Sequence, residues 1–454
     1  MHLDRVHAHI DNQFQRHLAK AQEFLQKPSI SAERVGLSET AEWLVRHIKP
    51  MAGTIELVQG RIAPLIITRL ISSKPKTLLV YGMYDVQPVE PSLWSSPPFG
   101  AEIHKIDNED AIIARGACNS KGPLIGFLNA VQAIIESDEL PLNLILAIEG
   151  EEEIGSFTIS EYFARNKGQL KADAALDPFW AEYGTDVDRP TLTLGTKGVL
   201  TVDLIVRGGE WGGPIAHPVH SSVAGWLASP VWRLVKVLAT IINDNEEVLV
   251  EGLQDEIQVS PEDEQLLSSL AASFNGQRIL SIEGASRFKW SLQPIDLLRK
   301  YFFSTTVSVG ISTQTESDII PTEARARLVL RLTPGMHPVA AFERLQRHLL
   351  RNGYPDIQLE FIQGYPGTRV SMHEPVVQSM IKAYRYHGHE PQVLPLSASA
   401  TPYYLFTDVL GIPYVWGGLG RAGRSHAPDE FATVEGLRIF EKSVATFLYM
   451  FADS

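Results

Sequence analysis

Cysteine is nearly absent from this chain. Cys118 is the only one in 454 residues, so no intrachain disulfide can form. A reducing, cytoplasmic setting is the simplest expectation. Basic runs are missing too. Forty Lys and Arg face 53 Asp and Glu, a formal net charge of -13, which argues against a nucleic-acid partner. No apolar run is long enough to span a bilayer, so no membrane anchor is expected. The opening residues, Met1-His-Leu-Asp-Arg-Val-His, lack the apolar core of a signal peptide. What remains is a hydrophobic content of 44% and a charged content of 20%, as in globular chains long enough for two or three domains.

The most informative stretch is Asn143–Ser156. Leu144 to Ile148 reads as a buried strand. It runs into Glu149, Glu151, Glu152 and Glu153, and Gly155-Ser156 opens a helix. Carboxylates this close repel one another. Water must solvate them, or a metal or basic group must neutralise them. A strand-to-helix junction is also where α/β proteins bind ligands.

Around that stretch, strands alternate with helices. Thr77 to Tyr81 reads as a central strand, Lys121 to Ser137 as a helix, and Ala172 to Leu176 as a strand ending at Asp177. Near Gly198 the pattern changes. Leu200 to Val206 and Ala324 to Leu332 alternate apolar with polar residues, with Arg325, Arg327 and Arg331 on one face. With helices at 230–242 and 339–350, this predicts a small α+β layer of the split βαβ kind. Residues 244–299 read as irregular structure with short helices. The first pattern resumes after Ser371. The sequence thus predicts an α/β domain over 1–197 and 367–454, interrupted by an inserted domain over 198–366. Gly418-Leu-Gly-Arg-Ala-Gly423 fits a dinucleotide fingerprint as a string. Too little chain follows for the required βαβ unit, so it reads as a loop carrying His426.

Five segments fall at strand ends. They are Met83-Tyr-Asp85-Val-Gln-Pro88, Arg115-Gly-Ala-Cys-Asn-Ser-Lys-Gly122, Glu151-Glu-Glu-Ile-Gly-Ser156, Leu176-Asp177 and Ser425-His426-Ala-Pro-Asp-Glu430. Their order and spacing resemble the two-zinc peptidase superfamily of carnosine dipeptidases, aminoacylases, acetylornithine deacetylase and succinyl-diaminopimelate desuccinylase, with the dipeptidase branch nearest. The resemblance also takes in Trp94, Pro97-Pro98-Phe99 and His220-Ser221. It implies a zinc-peptidase-like α/β catalytic domain with an inserted ferredoxin-like lid that dimerises, and a small amide or peptide substrate. Glu152 falls at the general-base position. Glu153, Asp177 and His426 fall at metal-ligand positions, and Asp85 at a carboxylate that supports the first histidine ligand. His220 falls where a lid histidine stabilises the oxyanion, and Arg331 where an arginine binds the substrate carboxylate. A strand-face ion pair is the plainer reading of Arg331, and a capped loop position that of His220. The bridging aspartate of that family precedes a cis peptide bond, and the corresponding bond is Asn119–Ser120.

Two ligand positions depart from the family pattern. Met83 stands where a histidine ligand is expected, and a thioether is a poor zinc ligand. Asn119 stands in place of the bridging aspartate, and its neutral oxygen is at best a weak ligand. The expectation is zinc or another divalent metal, one ion or none. Three readings stay open: an amide-bond hydrolase of dipeptidase or N-acyl-amino-acid deacylase type with an altered site, a metal-free catalyst of a related acyl transfer, and a non-catalytic binding homologue. Cys118 beside Asn119 is a candidate nucleophile only if something activates its thiol.

Overall fold

The computed structural model describes residues 2–51, 53–183, 189–253, 259–313 and 318–454. The chain forms two compact units. The first comprises Met1–Leu194, Val370–Leu394 and Leu405–Ser454. The second comprises Gly195–Arg369 and Pro395–Tyr404.

The first unit is built on a six-stranded sheet in the order Thr54–Val58, Leu65–Leu70, Asn143–Glu149, Thr77–Met83, Ala174–Pro178, Tyr414–Gly417. The last four strands are parallel neighbours, so their carboxyl ends lie along one edge. Strands 77–83 and 143–149 are buried almost throughout, as strands covered on both faces must be. Helices His2–Leu25, Lys121–Ser137 and Val434–Ala452 pack together. The first buries Val6, Ile10, Phe14, Leu18 and Ala21, one apolar stripe at helical spacing. A second, five-stranded sheet joins 102–106, 109–113, 431–433, 421–423 and 182–183. After 421–423 the chain pairs as a strand rather than starting a helix, so the glycines from 418 to 423 carry no dinucleotide loop.

The second unit is an antiparallel sheet in the order Thr306–Thr313, Glu323–Leu332, Gly195–Arg207, Gln358–Tyr365. One face packs on helices Pro230–Ile241 and Pro338–Arg351. Its core includes Leu200, Val202, Leu204, Leu328, Leu330, Leu234 and Leu345. Alternation along 200–206 and 324–332 gave this face away in the sequence. Strand 306–313, with Val307, Val309 and Ile311 at alternate positions, is a further strand that the sequence reading did not assign. Residues 395–404, expected in the catalytic segment, group with the second unit, because strand Ser397–Ala400 pairs in parallel with 195–207. Within 244–299 the structure holds helices Pro261–Ala272 and Gly276–Ile282 and most of Pro294–Phe303. Residues 254–258 lie outside the described residues.

Several histidines of the first unit are held neutral. His47 stacks on Trp43 with ring centroids 5.1 Å apart, and burial pushes its pKa down to about 4. His7 and His387 both reach Thr446 Oγ1 at 3.0 Å. Burial, then each other's proximity, pushes His387 down to about 4, and burial also lowers His7. Between pH 6.5 and about 4 the unfolded chain binds protons at these sites that the folded chain does not, so each contributes stability that is lost as pH falls through that window. Thermal melts of the wild type and of His47→Phe at about pH 7 and about pH 5 test this. The variant should lose less Tm between the two. Equal losses would show that His47 carries no such linkage.

Candidate active site

The parallel strand ends bring the candidate residues of the first unit together. Met83 closes its strand in register with Glu149, and Asp177 lies opposite Trp416 on the neighbouring strand. Asp85, Glu151–Glu153 and the loop carrying His426 follow directly. The Asn119–Ser120 bond is cis, immediately before helix 121–137.

The four glutamates have four different surroundings. Glu151 is buried and accepts the backbone N–H groups of Ile62, Ala63 and Thr158 at 2.7, 3.0 and 3.0 Å. It is a structural anchor. Glu149 is buried beneath the site and accepts from Tyr81 Oη at 2.6 Å. Burial pushes it up to about 8, so it holds a proton at neutral pH. Glu153 is saturated: Gln87 Nε2 donates to Oε2 at 2.8 Å, Asn119 Nδ2 to Oε1 at 3.1 Å, and His426 Nε2 lies 3.0 Å from Oε1. Glu152 makes no side-chain hydrogen bond among the described residues. Burial of its carboxyl, then repulsion by Glu153, Asp85, Glu149 and Asp177, raises its pKa well above the ordinary range. That favours its protonated form and makes its carboxylate form a stronger base than a free glutamate.

Asp85 serves a different partner from the one expected. With methionine at position 83 there is no imidazole to support. Its oxygens instead accept the backbone N–H groups of Glu152 and Glu153 at 3.2 and 3.0 Å, which fixes the turn bearing both. Burial, then Glu153, pushes it up to about 7. Cys118 is fully buried, and burial, then Glu430, pushes its thiol up. It has none of the activation a nucleophilic thiol needs.

Charge and ligand count pull in opposite directions. Asp85, Glu149, Glu152, Glu153 and Asp177 crowd one pocket, with the His426 ring 3.0 Å from Glu153. Such a pocket calls for a cation or for protons. Yet no group of three or more His, Cys, Asp or Glu among the described residues is arranged to hold a metal ion. Asn119 is neutral, Met83 is buried and soft, and Glu153 already carries three protein donors. Glu153 and His426, in contact at 3.0 Å, are the pair beside which a cation would sit. His426 Nε2 also lies 2.8 Å from Asn119 Nδ2. It can donate to Glu153 or accept from Asn119, not both, so the ring's protonation decides which contact is the hydrogen bond. The hydrogen bond to Glu153 raises the His426 pKa.

Sequence reasoning assigned no role to Arg115 or Glu430, although both lie in the quoted segments. They form a buried ion pair at 2.7 Å. Glu430 also accepts the N–H groups of Gly116, Cys118 and Asn119 at 3.1, 3.0 and 2.7 Å. Arg115 reaches the carbonyls of His426 and Pro88 at 3.3 and 3.4 Å and lies over the Trp94 ring at 5.2 Å. One pair therefore ties three site loops together. His426 itself sits at φ 60°, a strained conformation that such anchoring maintains. Removing one partner strands the other charge in the interior, at a cost of about 3–5 kcal/mol. Urea denaturation of Arg115→Met should show a loss of that order. A loss below about 1 kcal/mol would mean water already solvates the pair.

His220 and Arg331 belong to the second unit. His220 is exposed, and its Nδ1 accepts the N–H of Ser222 at 3.2 Å, capping the 221–225 turn. A backbone N–H can only donate, so Nδ1 is the acceptor and the proton sits on Nε2, free to donate. Arg325 pairs with Glu323 and Arg327 with Asp203. Arg331 forms no such pair among the described residues, against the plainer reading of it.

The sequence profile of Peptidase family M20/M25/M40 matches residues 79–451. The Cys-Gly metallodipeptidase dug1 of Schizosaccharomyces pombe is 26% identical over 377 residues, covering 77% of this chain and 76% of that protein. The Cys-Gly metallodipeptidase DUG1 of Saccharomyces cerevisiae is 28% identical over 300 residues, 63% of this chain and 60% of that protein. The crystal structure of the M20 family metallo-carboxypeptidase Sso-CP2 from Sulfolobus solfataricus superposes with a TM-score of 0.86 at 31% identity, over 96% of this chain and 99% of that one. A profile match over most of its length and a fold shared almost end to end place this chain in Peptidase family M20/M25/M40.

Proposed function

We propose that the chain hydrolyses the amide bond of a small peptide-like substrate, a dipeptide or an N-acyl amino acid. The observation that carries this is Glu152. Its carboxyl has no hydrogen bond among the described residues and is made more basic by its acidic neighbours, and it stands beside the Glu153–His426 pair at the strand ends. Glu152 takes a proton from water as that water attacks the amide carbonyl, and returns it to the leaving amine. The Nε2–H of His220 donates to the developing oxyanion. The fork of Arg331 binds the substrate carboxylate. The names of the relatives, metallodipeptidases and a metallo-carboxypeptidase, support a peptide substrate and a divalent metal. Such an ion, held by Glu153 and His426 with weak help from the Asn119 oxygen, would polarise the carbonyl and acidify water.

The metal count is one or none, because the position that keeps only Asp177 lacks both the bridging anion and a nitrogen ligand. The lone buried cysteine fits a cytoplasmic setting. Trp226 and Trp232, 82% and 67% exposed, together with the exposed edge strand 306–313, support a homodimer formed through the second unit.

Glu152→Gln should lower kcat on a dipeptide about 10²–10⁴-fold while leaving the melting profile intact. Full activity in that variant would remove Glu152 as the base. Mass spectrometry of the native protein should find fewer than two zinc ions per chain. Met83→His with Asn119→Asp should raise occupancy toward two, and either change alone should do less, because both ligands serve one ion. Two tightly held ions in the unmodified chain would refute the ligand count. Sedimentation velocity should give a two-chain species that Trp232→Glu converts to one chain. A monomer before substitution would end the dimer reading.

A further inference from the structure

We infer that Lys197 is a positioning residue that forms, with Arg331, a two-cation subsite selective for a free substrate carboxylate. The inference rests on the proposed role of Arg331 and names a second residue for that subsite.

Lys197 is 2% exposed, and its Nζ donates to the carbonyls of Tyr301 and Ser304, both at 2.8 Å. These carbonyls close helix Pro294–Phe303, where the helix dipole favours a cation. The sheet register explains its neighbour. Val199 lies opposite both Arg331 and Tyr365, and Arg331 lies opposite Thr306. Residues directly opposite share a face, so these four form one row on the face away from the Leu200 and Leu330 core. Lys197 is two residues from Val199 on the same strand, hence diagonal to Arg331 on that face, at a spacing of about 7–8 Å. Each other strand-face arginine here has a carboxylate, Glu323 for Arg325 and Asp203 for Arg327. Arg331 instead has a buried lysine. Burial, then the guanidinium, pushes Lys197 down to about 8, so the two charges sense each other.

Like charges on one face are unfavourable until an anion arrives. A carboxylate relieves the repulsion and gains from both cations, whereas a neutral amide gains from neither. At this spacing and an intermediate dielectric, the Lys197 charge contributes roughly five- to tenfold in discrimination. Lys197 thereby distinguishes free-acid substrates from blocked ones without contacting the scissile bond.

The test is calorimetric binding of L-leucine and L-leucinamide to the full chain. Wild type should prefer leucine. Lys197→Gln keeps donors for the two carbonyls and removes the charge, so it should cut the preference roughly five- to tenfold, while Lys197→Arg retains it. Thr306→Glu, at an exposed position opposite Arg331, should abolish the preference without touching the buried lysine. An unchanged preference in folded Lys197→Gln and in Thr306→Glu, or no preference in wild type, would overturn the inference. Hydrolysis of alanyl-leucine is measured alongside. Its absence with the preference intact would sink the proposed hydrolysis and leave this subsite standing.

Discussion

Repulsion among carboxylates is the constraint on which the site depends. Parallel strands, joined by crossovers, bring their carboxyl ends to one edge. Here that edge receives Asp85, Glu149, Glu151, Glu152, Glu153 and Asp177. Left alone, so many negative groups would force the loops apart or draw in water. The structure distributes them instead. Glu151 and Asp85 are satisfied by backbone N–H groups, Glu149 keeps a proton, and Glu153 is held by Gln87, Asn119 and His426. Glu152 has no hydrogen-bond donor on its carboxyl among the described residues, and its raised pKa follows from that distribution.

Fixing those loops requires a charge of the opposite sign in the interior, and Arg115 provides it. Its pair with Glu430 would be costly if either partner were unsatisfied. Glu430 therefore collects three backbone N–H groups, and Arg115 collects the carbonyls of Pro88, His426 and Ala427 within 3.4 Å. The outcome is a rigid frame for Asn119 and His426 in a region with little regular secondary structure. Asn119 belongs to this frame through its backbone N–H, which donates to Glu430 at 2.7 Å.

The second unit uses electrostatics differently. Its sheet buries one apolar face and leaves a polar one, where arginines are paired off by Glu323 and Asp203. Lys197 and Arg331 depart from that pattern by standing together with no acidic partner among the described residues. Burial of the lysine is tolerated because helix-end carbonyls accept its protons.

Much of this was legible in the sequence. Period-two alternation at 200–206 and 324–332 marked the second sheet, and apolar runs at 77–81 and 144–148 marked the central parallel strands. Both signals follow from which faces are buried. The ordered segments around Asp85, Asn119, Glu152, Asp177 and His426 placed the candidate site at strand ends, and Met83 and Asn119 stood out as departures from the family's ligands. Strand 306–313 does alternate, with Val307, Val309 and Ile311 against Ser308, Gly310 and Ser312, but it was passed over in the sequence, and in the structure it is a mostly exposed edge strand. What each glutamate does was also hidden. Glu149 to Glu153 are chemically alike along the chain, and only the donors that surround them in space set one as anchor, one as proton holder, one as ion pair and one as base. Arg115 with Glu430, and Lys197 with Arg331, were invisible for the same reason. Residues 315 and 134 positions apart interact only once the chain has folded, and local composition carries no record of which partner a buried charge will meet.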